Sequence, residues 1–224
     1  MVGADPQVVA RIDPDGRMEM AWSDDPCGHG VCVDFRRVSL RGVAKSALVR
    51  ACGGRGRIVD ATAGLGGDAW LLSAAGSDVC AIERSPIVLR VLADGLQRAR
   101  DDARMSVVAA RLELQDGDAI ELLSKLRGEW TAIYLDPMYP PKHGSALAQK
   151  SIRLVRAVVG DDPDADALLL AAAATRTQRI VVKRPHRAPS LLCPPDAQIE
   201  SKLVRYDIYA GAGRGLRTLR ERAA

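Results

Sequence analysis

The chain has 224 residues, 47% of them apolar, which is enough for one large domain with a real core. Its 32 basic and 28 acidic side chains leave a net charge of only +4, which permits an RNA partner without requiring one. Five irregularly spaced cysteines argue against a disulfide framework, no run reaches the ~20 apolar residues of a membrane span, and the amino-terminal segment lacks a basic-then-apolar leader, so a cytoplasmic protein without a membrane partner is expected.

Short strands are predicted over residues 7–12, 17–22 and 31–35, separated by Asp13-Pro14-Asp15-Gly16 and Asp24-Asp25-Pro26 turns. They suggest a small β extension over residues 1–40 in front of a main domain over 41–224. Cys27, His29 and Cys32 lie close together there, but no fourth ligand stands at a zinc-like spacing, so no metal is expected. Residues 42–52 have helical apolar spacing and end at Gly53-Gly54. From Arg57 onward strands and helices alternate. Strands are predicted over 57–61, 78–83, 112–115, 131–135 and 179–183, with helices over 68–75, 86–100 and 119–126. That alternation implies a parallel sheet covered on both faces. Residues 200–203 and 205–209 are close enough to form a terminal antiparallel pair, and the Arg- and Gly-rich end reads as a frayed basic tail.

In such sheets ligands bind beyond the carboxyl ends of the strands. Asp60-Ala61-Thr62-Ala63-Gly64-Leu65-Gly66-Gly67-Asp68 follows the first parallel strand and opens a helix, so its glycines allow a tight turn and close backbone approach to a ligand. Glu83 ends the second strand and can accept from ribose hydroxyls. Gly117-Asp118 follows the third, with Asp118 suited to an adenine amino group. Gly64 and Gly66 with Glu83 also satisfy a dinucleotide fingerprint. Asp60 and the motif after the fourth strand separate the two cofactors, because the Asp60 carboxylate suits the cationic methionyl end of S-adenosylmethionine and repels a pyrophosphate.

Asp136-Pro137-Met138-Tyr139 follows the fourth strand and resembles the Asp/Asn-Pro-Pro-aromatic tetrapeptide of methyltransferases acting on exocyclic base amines. The lone pair of such an amine is delocalised into the ring. Accepting its N–H groups at the Asp136 carboxylate and the Pro137 carbonyl would favour a pyramidal, nucleophilic nitrogen, and Tyr139 would stack on the base. Met138 replaces the second proline of the motif.

Taken together, these residues resemble the bacterial small-subunit ribosomal RNA methyltransferase J family, whose members make N2-methylguanosine. The resemblance runs from about Val31. It rests on VDF at 33–35, VDATAGLG at 59–66, Asp68, Glu83-Arg84 followed by Pro86, YLDPMYP at 134–140, Lys142, SAL at 145–147, DPDAD at 162–166, VVKRP at 181–185 and RYDIYAG at 205–211. It implies a class I, Rossmann-like methyltransferase fold, a mostly parallel seven-stranded sheet with a carboxy-terminal antiparallel hairpin. It also implies S-adenosylmethionine as cofactor, contacted by Gly67-Asp68, Glu83-Arg84, Gly117-Asp118 and Asp136, and small-subunit ribosomal RNA or the small subunit itself as partner. Gly67 stands where an Arg is commoner, and RRVSLRG replaces a longer basic, glycine-rich stretch. Among the basic residues, Lys142, Lys183 and Arg184 are expected to contact RNA phosphates, the last two because they end the fifth strand beside the catalytic corner. The alternatives are amine methylation of another nucleic acid or a protein glutamine, and a non-catalytic RNA-binding assembly factor with this fold.

Overall fold

The computed structural model describes residues 7–138, 149–160, 163–211 and 213–223. Its centre is a seven-stranded sheet built from β3 (Arg57–Asp60), β4 (Asp78–Glu83), β5 (Leu112–Asp116), β6 (Ala132–Leu135), β7 (Arg179–Pro185), β8 (Ala197–Glu200) and β9 (Val204–Ala210), in the spatial order β5-β4-β3-β6-β7-β9-β8. The first five in that row run parallel; β9 pairs antiparallel with both β7 and β8. The chain winds outward from β3 to β5, then returns to the other side of β3 to lay down β6. The strand order therefore reverses between β3 and β6, the place where such sheets hold ligands.

Strands buried on both faces need apolar residues at successive positions rather than alternating ones. In β6 all four residues, Ala132, Ile133, Tyr134 and Leu135, are fully buried. Ile58, Ala81, Tyr134 and Val181 enter one core and Val59, Ile82, Ile133 and Val182 the other, so each strand feeds both faces in turn. Covering one face are α1 (Ala47–Ala51), α2 (Gly67–Ala74), α3 (Pro86–Asp101) and α4 (Ser106–Ala109). The other is covered by α5 (Ala119–Lys125), α7 (Ala165–Ala174) and α8 (Arg214–Ala223), while α6 (Lys150–Val159) buries Leu154 and Val155 against the first core.

The amino-terminal hairpin, β1 (Val8–Ile12) with β2 (Met18–Trp22), shares its core with α3. The chain then crosses α3 at Gly95, where a Cβ would come within 2.5 Å of Val33 Cγ1, and Arg98 of that helix donates to the Val33 carbonyl. Phe35, the single phenylalanine, stacks on Trp70 of α2 at a centroid distance of 4.3 Å. The extension thus braces the helix that begins at the glycine loop.

Several elements differ from the expectation. Residues 31–35 form no strand: only Val31 bridges to Met20, and Phe35–Arg37 is a 3₁₀ turn capped by the Asp34 carboxylate. The final segment is not frayed. It forms α8, because Leu216 and Leu219 lie three apart and are both buried while the arginines line the other face. The helices α6 and α7 between β6 and β7 are additional to the predicted set, and β8 begins and ends earlier than residues 200–203. Cys27 and Cys32 direct their thiols to the Ile12 carbonyl and the Asp13 carboxylate. No helix among the described residues is long and apolar enough to cross a membrane.

Candidate cofactor and catalytic site

A cleft of about 480 Å³ opens at the carboxyl ends of β3, β4, β5, β6 and β7, within the range of small-molecule sites. The loop after β3 forms its floor. Gly66 caps α2 in the left-handed region at φ +75°, and a Cβ there would stand 2.5 Å from Leu92 Cδ1, so both backbone and space require glycine. Around Gly67, by contrast, a Cβ would find nothing within 4 Å.

On the β4 side, Glu83 is 5% exposed and its two carboxylate oxygens accept from the Gly64 N–H at 2.8 Å and the Ser85 N–H at 2.7 Å. Burial raises its pKa, against those two backbone donors, which favour the charged form. Gly117 N–H donates to the Glu83 carbonyl, which ties the loops after β4 and β5 together. Asp118 caps α5 by accepting from the Ile120 N–H at 2.8 Å, so its carboxylate enters the cleft in a fixed orientation. Arg84 lines the same wall and pairs with Asp164 at 2.6 Å, the acid that precedes α7.

On the β6 side the charges are denser. Asp60 is 1% exposed, and burial, reinforced by the nearby charge of Asp68, pushes its carboxyl up to about 8. An acid of that kind is largely neutral at pH 7 until a cation arrives. Lys183 Nζ lies 2.8 Å from Asp68 Oδ2 and 2.8 Å from Asp136 Oδ2, bridging the helix α2 and the end of β6. The buried Tyr134 hydroxyl donates to the same Asp68 oxygen at 2.5 Å. The Asp136 N–H donates to Thr62 Oγ1 at 2.7 Å, fixing the turn after β6 to the turn after β3. Pro137 and Met138 line the cleft beyond Asp136, and Ile152 and Val155 of α6 face it.

The cleft therefore brings together Asp60, Gly64, Gly67, Asp68, Glu83 and Arg84 with Gly117, Asp118, Asp136 and Pro137. Gly66 contributes as the helix cap behind it. Tyr139 and Lys142 lie outside the described residues. Lys183 and Arg184, expected to contact RNA phosphates, both have partners within the protein. The Lys183 ammonium is neutralised inside the cleft by two carboxylates, and Arg184, only 4% exposed, donates twice to the Pro189 carbonyl at 3.2 and 2.8 Å. Sequence reasoning also missed Thr62, Asp164 and the α6 wall. The DPDAD run marked Asp164 without indicating what it meets.

Residues 6–211 match the family model described as "Putative SAM-dependent methyltransferase". The chain is 50% identical over 169 residues to the ribosomal RNA small subunit methyltransferase J of Stutzerimonas stutzeri (strain A1501), and 48% identical over 169 residues to that of Ectopseudomonas mendocina (strain ymp). In each case the match covers 75% of this chain and 65% of the relative's length. The crystal structure of a SAM-dependent methyltransferase from Neisseria gonorrhoeae is similar with a TM-score of 0.70 and 30% identity, over 96% of this chain and 88% of that one.

Proposed function

This chain belongs to the family of S-adenosylmethionine-dependent methyltransferases, and on that premise we propose that it methylates the exocyclic N2 amine of a guanosine in small-subunit ribosomal RNA. The observation that carries the reading is Asp136-Pro137 at the end of β6, lining the same cleft as Glu83, Asp118 and Asp60. The relatives named above, both described as ribosomal RNA small subunit methyltransferases, support the choice of RNA.

The donor set fits the cofactor. Glu83, already held by two backbone N–H groups, keeps lone pairs for the ribose hydroxyls, and Asp118 offers its carboxylate to the adenine amine. Asp60 supplies a carboxylate that a cationic methionyl group would ionise. When bound, the cofactor supplies an electrophilic methyl group. The chain's own part is positioning and electrostatics. Asp136 and the Pro137 carbonyl accept the target amine's N–H groups and aim its lone pair, Tyr139 stacks on the base, and the proton left on the product nitrogen passes to water.

RNA approaches from the carboxyl edge of the sheet, where the cleft opens. With Lys183 and Arg184 engaged inside the protein, exposed basic side chains there among the described residues include His186 and Arg187 after β7, Lys202 in the β8–β9 turn and Arg153 on α6. Mass analysis of ribosomal RNA nucleosides tests the proposal: cells lacking the protein should lose one N2-methylguanosine from small-subunit RNA. An unchanged nucleoside profile would overturn the RNA assignment.

A further inference from the structure

We propose that Lys183 is the anchor for the carboxylate of the cofactor's methionyl group, held in place by Asp68 and Asp136 while Asp60 receives the methionyl ammonium. The inference rests on reading the cleft as an S-adenosylmethionine site.

Across the sheet, the polar groups of the cleft fall into two sets. Asp118 and Glu83, over β5 and β4, are acids held by backbone N–H groups, and such acids accept from neutral donors such as hydroxyls and an aromatic amine. Over β3, β6 and β7 stand Asp60, Asp68, Asp136 and Lys183, three acids around one ammonium. That mixture complements a zwitterion, which needs acceptors for its ammonium and a cation for its carboxylate, and it does not complement a simple cation.

Lys183 is placed for the second task. An ammonium has three N–H donors, and two of them meet Asp68 Oδ2 and Asp136 Oδ2 at 2.8 Å. The third is left for a ligand in the cleft that the side chain lines. Burial works against the charge, but Asp136 and Asp68 outweigh it and raise the pKa of Lys183, so it stays cationic across the working pH range. Among the described residues, the other cations lining the cleft are engaged elsewhere, Arg84 with Asp164 on the β4 side and Arg184 with the Pro189 carbonyl. The position is also stiff. Tyr134 holds Asp68, Thr62 holds the backbone of Asp136, and both carboxylates hold Lys183, so its ammonium is fixed before any ligand arrives. Among the described residues, the further titratable groups acting on the cluster include Cys52, just after α1, and Tyr206 from β9, both pushed up by burial and therefore neutral.

The test removes the carboxylate from the ligand as well as the lysine from the protein. Calorimetry should show wild type binding S-adenosylmethionine roughly ten- to a hundredfold more tightly than decarboxylated S-adenosylmethionine, the worth of one charge-assisted hydrogen bond. In Lys183→Met that preference should collapse to near unity, and Lys183→Arg should restore part of it. A Lys183→Met protein that keeps the wild-type preference would overturn the proposal, because the carboxylate would then be held elsewhere. Should Lys183→Met not fold, a crystal structure of wild type with S-adenosylhomocysteine decides: Nζ within hydrogen-bond distance of the ligand carboxylate supports the assignment, and its absence overturns it. Wild type binding neither ligand would instead overturn the reading of the cleft, and this proposal with it.

Discussion

The two halves of the cleft are built by different means. On the β4 side, acids are set by backbone N–H groups close by in the chain or fold: Glu83 by Gly64 and Ser85, Asp118 by Ile120. On the β6 side, side chains set each other across long sequence separations, as in Lys183 with Asp68, 115 residues apart, and Tyr134 with Asp68, 66 apart. Backbone amides cannot be mutated away and hold a carboxylate in one pose, whereas a charge network depends on every member. The first half therefore suits a recognition surface that only binds. The second has the charge density and the coupling that a reacting centre uses.

Substitutions should expose that contrast, the largest effect coming from the networked half. Asp136→Ala should lower single-turnover methyl transfer by ~10²–10³-fold or more, as losing a preorganised polar group at a reacting centre does. Asp136→Asn, which keeps an acceptor oxygen, should lose less, and equal losses would remove the case for the charge. Next, Glu83→Ala should weaken cofactor binding by ~1–3 kcal/mol in calorimetry while leaving turnover at saturating cofactor nearly intact. A collapse of turnover there would erase the division between the halves.

Proton linkage offers a sharper probe. Because the Asp60 carboxyl is raised to about 8 by burial and by Asp68, the cationic cofactor must displace its proton below that pH. Affinity should therefore rise with pH from 6 to 8, by at most about tenfold per unit, and binding at pH 7 should release a proton. Calorimetry in two buffers of different ionisation enthalpy measures that release, and Asp60→Asn should abolish it. A wild type that releases no proton would mean that Asp60 does not meet the cation. The smallest effect belongs to the surface: Arg187→Ala and Lys202→Ala should each reduce the salt slope of RNA binding by ~1 and leave cofactor affinity unchanged.

The same contrast explains what was legible in the sequence. The glycine loop and Glu83, nineteen positions after Gly64, form a local signal, because strand, turn and helix carry it within one unit. The five parallel strands were legible for the same reason, each being a short apolar run bounded by turns. Lys183 was visible only as half of a basic pair at a strand end, and a basic pair reads as a surface. What makes it internal is the return of the chain to β7 beside β6, a tertiary fact that no local pattern encodes. Likewise α8 looked frayed because arginine and glycine dominate it, whereas Leu216 and Leu219 suffice to dock one face. In α6 the apolar signal is weak, because Lys150, Arg153 and Arg156 are interleaved with the buried Leu154 and Val155.

The central claim is that this cleft delivers a methyl group to a guanine amine of small-subunit RNA. Its most direct test incubates the protein with methyl-labelled S-adenosylmethionine and small ribosomal subunits, or their naked RNA, from cells lacking it, followed by nucleoside analysis. The account predicts label in N2-methylguanosine with wild type and almost none with Asp136→Ala. Bound cofactor with no label transferred to any small-subunit RNA would contradict it, as would label appearing on adenine instead.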